Sequence, residues 1–119
     1  MTISAGIQKE AQKNAQDLLA FIDENIAFFP VKNLPAFFID NNSDNYNCLM
    51  LAAEFQPESV PIILNFIIKK IAIFKPHLEQ ILCNRNKKGY HSVMLACHHP
   101  EALRSIIYFI NLQENAQIL

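Results

Sequence analysis

The residues of this chain best equipped for chemistry are its thiols and imidazoles. His91, Cys97, His98 and His99 fall within nine residues, with His77 and Cys83 upstream. A zinc ion would need four such ligands converging on a tetrahedron, usually from paired short spacings. No Cys-x-x-Cys pair is present, and Cys97, His98 and His99 are consecutive, so on a helix they point about 100° apart. The other chemistry open to the cluster is a small hydrolase or transferase with Cys97 as nucleophile and His98 or His99 as base. That requires an exposed thiol beside an ion-pair partner. No Gly-rich phosphate loop, no Gly-x-Ser-x-Gly and no telling carboxylate pair accompanies it.

A second pattern gives the cluster a structural explanation. Tyr46-Asn47-Cys48-Leu49-Met50-Leu51-Ala52-Ala53 reappears as Tyr90-His91-Ser92-Val93-Met94-Leu95-Ala96-Cys97, and Pro57-Glu58-Ser59-Val60 reappears as Pro100-Glu101-Ala102-Leu103. Self-similarity at a period of about 20–50 residues marks a repeat architecture. In this register Cys97 replaces Ala53, Cys83 replaces Ile39, Cys48 is matched by Ser92, and His91 replaces a capping Asn47. Each is an ordinary structural exchange. Cys97 is therefore expected to be buried and His98 and His99 to be solvated. The reading assigns no catalytic residue, no metal and no cofactor.

The elements that carry these residues read as helices throughout. Ser4 can cap a first helix that Pro30 limits, with Ile7, Ala11, Ala15, Leu18, Ile22 and Ile26 on one apolar stripe and Lys9, Glu10 and Lys13 opposite. A short helix over 34–39 follows, with Asn33 as its cap, then the polar loop 40–45. Asn47 caps a short helix to Phe55, Pro57 opens a long one to about Phe74, and Pro76 opens another through Cys83. The loop 84–89, a short helix 91–98 and a long helix from Pro100 to about Leu112 complete the chain. The first long helix corresponds to the helix 57–74. The inner positions Leu49, Met50, Leu51, Ala52, Val93, Met94, Leu95 and Ala96 are expected in the core.

Composition narrows the class. One domain of 119 residues, 51% hydrophobic and 18% charged, can build a real core. A net charge of −1 gives no field to recruit nucleic acid or an anionic membrane. The longest apolar runs stop well short of a membrane span, and no secretory leader is visible at the start. Three cysteines in apolar surroundings read as reduced thiols of an intracellular protein.

The segments 45–53 and 89–97 resemble ankyrin-type repeats. Their Leu and Ala positions agree with that consensus, its Thr-Pro does not, and the period is longer by an inserted short helix. The drifted pattern is similar to the ankyrin-like repeats of Legionella secreted effectors, over about residues 33–112. The resemblance implies an all-α short helical solenoid of about two and a half ankyrin-like repeats, with units at about 1–55, 56–99 and a partial 100–119. It implies a non-enzymatic protein-interaction module that reaches the host cytoplasm through a type IV system. Small helical Legionella proteins that inhibit other effectors are similar in length and style. They suggest as partner another bacterial effector enzyme of the ubiquitin-deamidating type, such as MavC or MvcA. A fragment of a larger ankyrin-repeat protein is the alternative within the same architecture.

Two surfaces are expected to bind such a partner. Asp40 and Asp44 make the first loop acidic, while Arg85, Lys87 and Lys88 make its counterpart basic. Stacked loops emerge along one edge, so that edge carries a charge gradient able to orient a partner. Tyr46 and Tyr90 beside the loops are read as packing residues. The last long helix is apolar on nearly every side, which leaves Tyr108, Phe109 and Leu112 uncovered and predicts a homodimer in the absence of another partner.

Overall fold

Thr2, rather than Ser4, starts the first helix in the computed structural model of the chain. Its Oγ1 accepts from the Ala5 N–H at 3.0 Å, and Ser4 is buried. Described are residues 2–26 and 29–118, with side chains described as far as Leu112. Helix α1 (Ile3–Lys13) is followed at once by α2 (Ala15–Asn25). The single long helix expected here is broken at Asn14. That residue is extended, and its Oδ1 accepts from the N–H groups of Gln16 and Asp17 at 2.8 and 3.1 Å, which caps α2. The two helices fold back on each other. The Phe21 ring occupies the space that a Cβ on Gly6 would need, so glycine sets their close approach.

A 3-10 turn (Val31–Asn33) leads into α3 (Leu34–Ile39), where Asn33 makes no side-chain cap. After the first polar loop come α4 (Cys48–Phe55), α5 (Ser59–Lys69) and α6 (Ile71–Phe74). The helix expected over 57–74 is thus two helices. Pro57 and Glu58 form a turn before it, and Lys70 interrupts it with its N–H bonded to the Ile67 and Ile68 carbonyls. A 3-10 turn (Lys75–His77) leads into α7 (Leu78–Cys83). Then follow the second loop, the one-turn α8 (Ser92–Leu95) with its 3-10 extension (Ala96–His98), and α9 (Pro100–Ile118). Among the described residues regular structure is helical, with no strand.

The sequence repeat is visible as repeated local structure. The 3-10 turn and helix over 31–39 recur 44 positions later over 75–83, and α2 recurs as α5 at the same offset. Of the first two helices it is therefore α2 that corresponds to α5, and α1 stands in the place of an inner helix. Both loops are built on one asparagine. Asn42 Oδ1 accepts from the N–H groups of Asp44 and Tyr46 at 2.9 and 3.0 Å; Asn86 Oδ1 accepts from Lys88 and Tyr90 at the same two distances. Asn45 and Gly89, which close these turns, both have positive φ, 65° and 87°.

The helices pack in two layers. In the inner layer α4 touches α1 on one side and α8 on the other. In the outer layer α5 touches α2 and α9. Leu49, Met50, Ala52 and Ala53 of α4 have no exposed surface, and they join Ile7, Ile63, Ile67 and Ile106 in one continuous core. An apolar contact set of this size is what stabilises helices too short to persist alone.

The inner helices begin differently. Asn47 Oδ1 accepts from the Met50 N–H at 3.0 Å, and its Nδ2 donates to the Ile81 carbonyl at 2.9 Å, so one buried amide caps α4 and ties it to α7. At the matching position, His91 has the extended backbone of a cap but makes no side-chain cap bond, and its Nδ1 is buried without a partner. Replacing His91→Asn should raise stability by about 0.5–1 kcal/mol, whereas Asn47→Ala should cost about 2–3 kcal/mol because it removes a cap and orphans a buried carbonyl. Urea denaturation of the two variants checks both signs.

Candidate functional site

The two layers end differently. At the N-terminal end the outward side of α1 carries exposed Lys9 and Lys13 with half-buried Glu10, a polar surface that needs no cover. At the C-terminal end the inner helix α8 packs on α4, and among the described residues no further inner helix follows it. Matched positions show the consequence. Met50 is 0% exposed and its counterpart Met94 is 40% exposed. Ala53 is buried and Cys97 is exposed; Leu49 is buried and Val93 only half so.

The outer layer repeats the contrast at the offset of the Pro57 and Pro100 turns. Leu64 is 3% exposed, and its counterpart Ile107 is 45% exposed. Val60 and Ile67 are buried, whereas Leu103 and Ile110 are half-buried. Side chains that an adjacent helix covers within the chain thus recur at the last helix pair with that cover missing. These positions make up the end face of the last helix pair, which on α9 also carries exposed Arg104 and Asn111, one helical turn either side of Ile107.

This corrects several sequence expectations. Met94 and Cys97 were expected in the core by analogy with α4; both are exposed, because analogy holds only where a next helix exists. Phe109 was expected on the surface; it is 1% exposed and packs in the core. Tyr108 and Leu112 are exposed as expected, beside Ile107 on α9. Tyr108 matches the exposed Asn65, so it stands on the outer surface at the margin of the end face. Ile107, 45% exposed, was missed. The repeat register itself was the signal, since any position buried between helix pairs must surface on the last pair. The side chains from Gln113 onward, expected as partial cover, lie outside the described residues.

The charged loops lie against one another. Asn84 Nδ2 donates to the Asn45 carbonyl at 2.8 Å, Asn41 Nδ2 donates to Asn84 Oδ1 at 3.2 Å, and the Lys87 N–H reaches the Asp44 carbonyl at 3.3 Å. Asp44, Tyr46, Asn86, Lys87 and Lys88 line a shared cleft of about 240 Å³. The acidic residue and the two lysines are thereby brought together. Asp40 stands apart at the end of α3, exposed, with its carbonyl accepting from Gln8 Nε2 at 3.0 Å. Arg85 is engaged within its own loop, donating to the Gly89 carbonyl at 2.6 Å. The matching carbonyl of the first loop, that of Asn45, is the one held by Asn84 from the second.

The thiols and imidazoles do not assemble. Cys97 Sγ donates to the Val93 carbonyl at 3.4 Å, and His99 Nε2 lies 3.3 Å from the Glu54 carbonyl oxygen. His99 is half-buried by this contact; His98 is exposed as expected. Among the described residues no group of three or more His, Cys, Asp or Glu side chains is placed to hold a metal ion. Cys48 is fully buried, and desolvation pushes its thiol up to about 12. Burial, then the hydrogen bond to Glu54 at 2.8 Å, raises the Tyr46 phenol above its ordinary value.

No protein-family model matches this chain, and neither a curated protein nor a solved structure does. No helix among the described residues is long and apolar enough to cross a membrane.

The buried thiol makes two expectations. A disulfide reagent added to dilute native protein should titrate Cys83 and Cys97 promptly and Cys48 only on unfolding. Cys48 has a folded pKa raised above its ordinary 9.0, so its contribution to stability is complete below pH 9 and is lost as pH rises toward 12. The melting temperature should fall over that window, and less so in Cys48→Ala.

Proposed function

We propose that this chain is a non-enzymatic protein-interaction module: a short solenoid of ankyrin-like helical units whose C-terminal end is left open to receive a partner. The observation that carries the reading is the pair of exposures at matched positions, Met50 against Met94 and Leu64 against Ile107. Solenoid ends need a polar capping surface because each unit buries its apolar face on the next. The N-terminal end has one in Lys9 and Lys13, and the C-terminal end does not. Apolar side chains left uncovered at positions whose counterparts are buried are where a partner can pack.

The target class comes from the resemblance of 45–53 and 89–97 to the repeats of Legionella effectors. On that reading the open end docks on another bacterial effector enzyme, of the ubiquitin-deamidating type, and restrains it by occupying its surface. No side chain of this protein needs to do chemistry for that. Alone, the chain covers the same face by pairing with a second copy. The basic loop with Lys87 and Lys88 steers association, and Tyr108 and Leu112 extend the contact along α9.

Light scattering at micromolar concentration should give about twice the 13.6 kDa chain mass. Met94→Glu combined with Ile107→Glu should give a folded monomer that no longer captures or inhibits a deamidase such as MavC or MvcA. A wild-type monomer whose inhibition survives both charges would defeat the reading.

A further inference from the structure

Asn14 alone separates α1 from α2. Its own backbone bonds are already those of a helix: its N–H donates to the Glu10 carbonyl at 3.1 Å, and its carbonyl accepts from the Leu18 N–H at 3.0 Å. What turns the chain back is its extended backbone, held by the two cap bonds to Oδ1. In one continuous helix the N–H groups of residues 15–17 would instead reach the carbonyls of residues 11–13. Cap bonds are thus exchanged for backbone bonds through a change confined to one residue. The apolar stripe from Ile7 to Ile26 keeps a single helical phase across that residue. Hairpin and straight helix therefore bury the same face.

The straight form cannot be completed within one copy. In the hairpin the Phe21 ring lies against Gly6. Along one straight helix those two residues are about 22 Å apart. That carries α1 off its own α4, where Ile7 and Ala11 are fully buried, and takes Gln8 from the Asp40 carbonyl. A second copy in the same state offers the identical contacts. We propose that α1 and α2 open at Asn14 into one helix, and that two copies exchange their α1 helices. Each α1 then packs on α2, α3 and α4 of the other copy, restoring the contacts of the closed chain. The Asn14 cap holds the monomer closed, and rising concentration favours the exchanged dimer. The exchange is made at the N-terminal helices, so it does not rest on the end-face reading.

Two substitutions bias the hinge in opposite directions. Asn14→Ala removes the cap and brings in the strongest helix former, which favours the straight form. Ala15→Pro locks the hairpin. Proline is well tolerated at the first position of α2 and suits an extended residue before it, whereas inside a continuous helix it would clash with the Ala11 carbonyl. Each is made in the full chain together with Met94→Glu and Ile107→Glu, so that end-face pairing adds no mass. The proteins are unfolded in urea and refolded at about 500 µM, where mass action drives association. By light scattering, the chain with an unaltered hinge should give some dimer and Ala15→Pro none. Asn14→Ala should raise the dimer-to-monomer ratio at least about tenfold, because each dimer contains two hinges. In dimers assembled from differently labelled copies, the Ile7 methyls of one copy should show NMR contacts to α4 of the other. Equal dimer ratios in Asn14→Ala and Ala15→Pro, or an Ile7 that meets only its own α4, overturn the proposal. The unaltered hinge against Ala15→Pro makes the same comparison if Asn14→Ala does not fold.

Discussion

The fold depends on the close lateral contact between successive inner helices. These helices are short: α4 spans eight residues and α8 four. Neither length is stable in isolation, because the first turn fixes several residues for a single hydrogen bond. What holds them is burial against their neighbours, on both flanks for α4 and on the α4 side for α8. In α4 the residues from Cys48 to Ala53 are all buried, with alanines at 52 and 53 letting the neighbours approach. The same geometry leaves one flank of the last inner helix uncovered within the described residues. A helix built to be covered on two sides and covered on one retains a face that water wets at a cost.

Two features make the open end a bounded surface and not a general hydrophobic liability. The loops on one edge are closed by backbone and asparagine bonds that repeat from one to the next, and Arg85 completes the last of them. The opposite end of the layers presents lysines, so head-to-tail growth would set an apolar face on a charged one. Pairing by like ends, or capture of a different protein, satisfies the face without leading to filaments.

The sequence made the helical class, the 44-residue recurrence, the loop positions and the Asn47 cap legible, because each depends on local residue types. Tyr46, Asn47 and the polar loops carry that information in a few positions. The break at Asn14 was also written locally, in an asparagine three residues before Asp17, but the apolar stripe from Ile7 to Ile26 runs through it in a single helical phase. Folding back on Gly6 and Phe21 buries that stripe almost as well as one straight helix, so periodicity could not separate the two. The site was legible only in part. The apolar character of α9 identified Tyr108 and Leu112, yet the side of α9 that faces α5 is a tertiary fact, which is why Phe109 proved to be core and Ile107 surface. Met94 and Cys97 were misread for a related reason: a repeat predicts equal environments, and the last unit is where that equality fails.

On the proposed reading, the end face bearing Met94, Cys97 and Ile107 is the part of the molecule that another protein covers. Cys97 lies on that face and Cys83 is exposed elsewhere, at the end of α7, so the chain carries both a probe and a control. The most direct measurement is the alkylation rate of each thiol with iodoacetamide as protein concentration rises from about 1 µM to about 500 µM, where mass action drives association. The account predicts that Cys97 becomes progressively protected while Cys83 reacts at a constant rate. Equal rates for the two thiols across the range, in protein that light scattering shows to be associated, would place the interface elsewhere and contradict it.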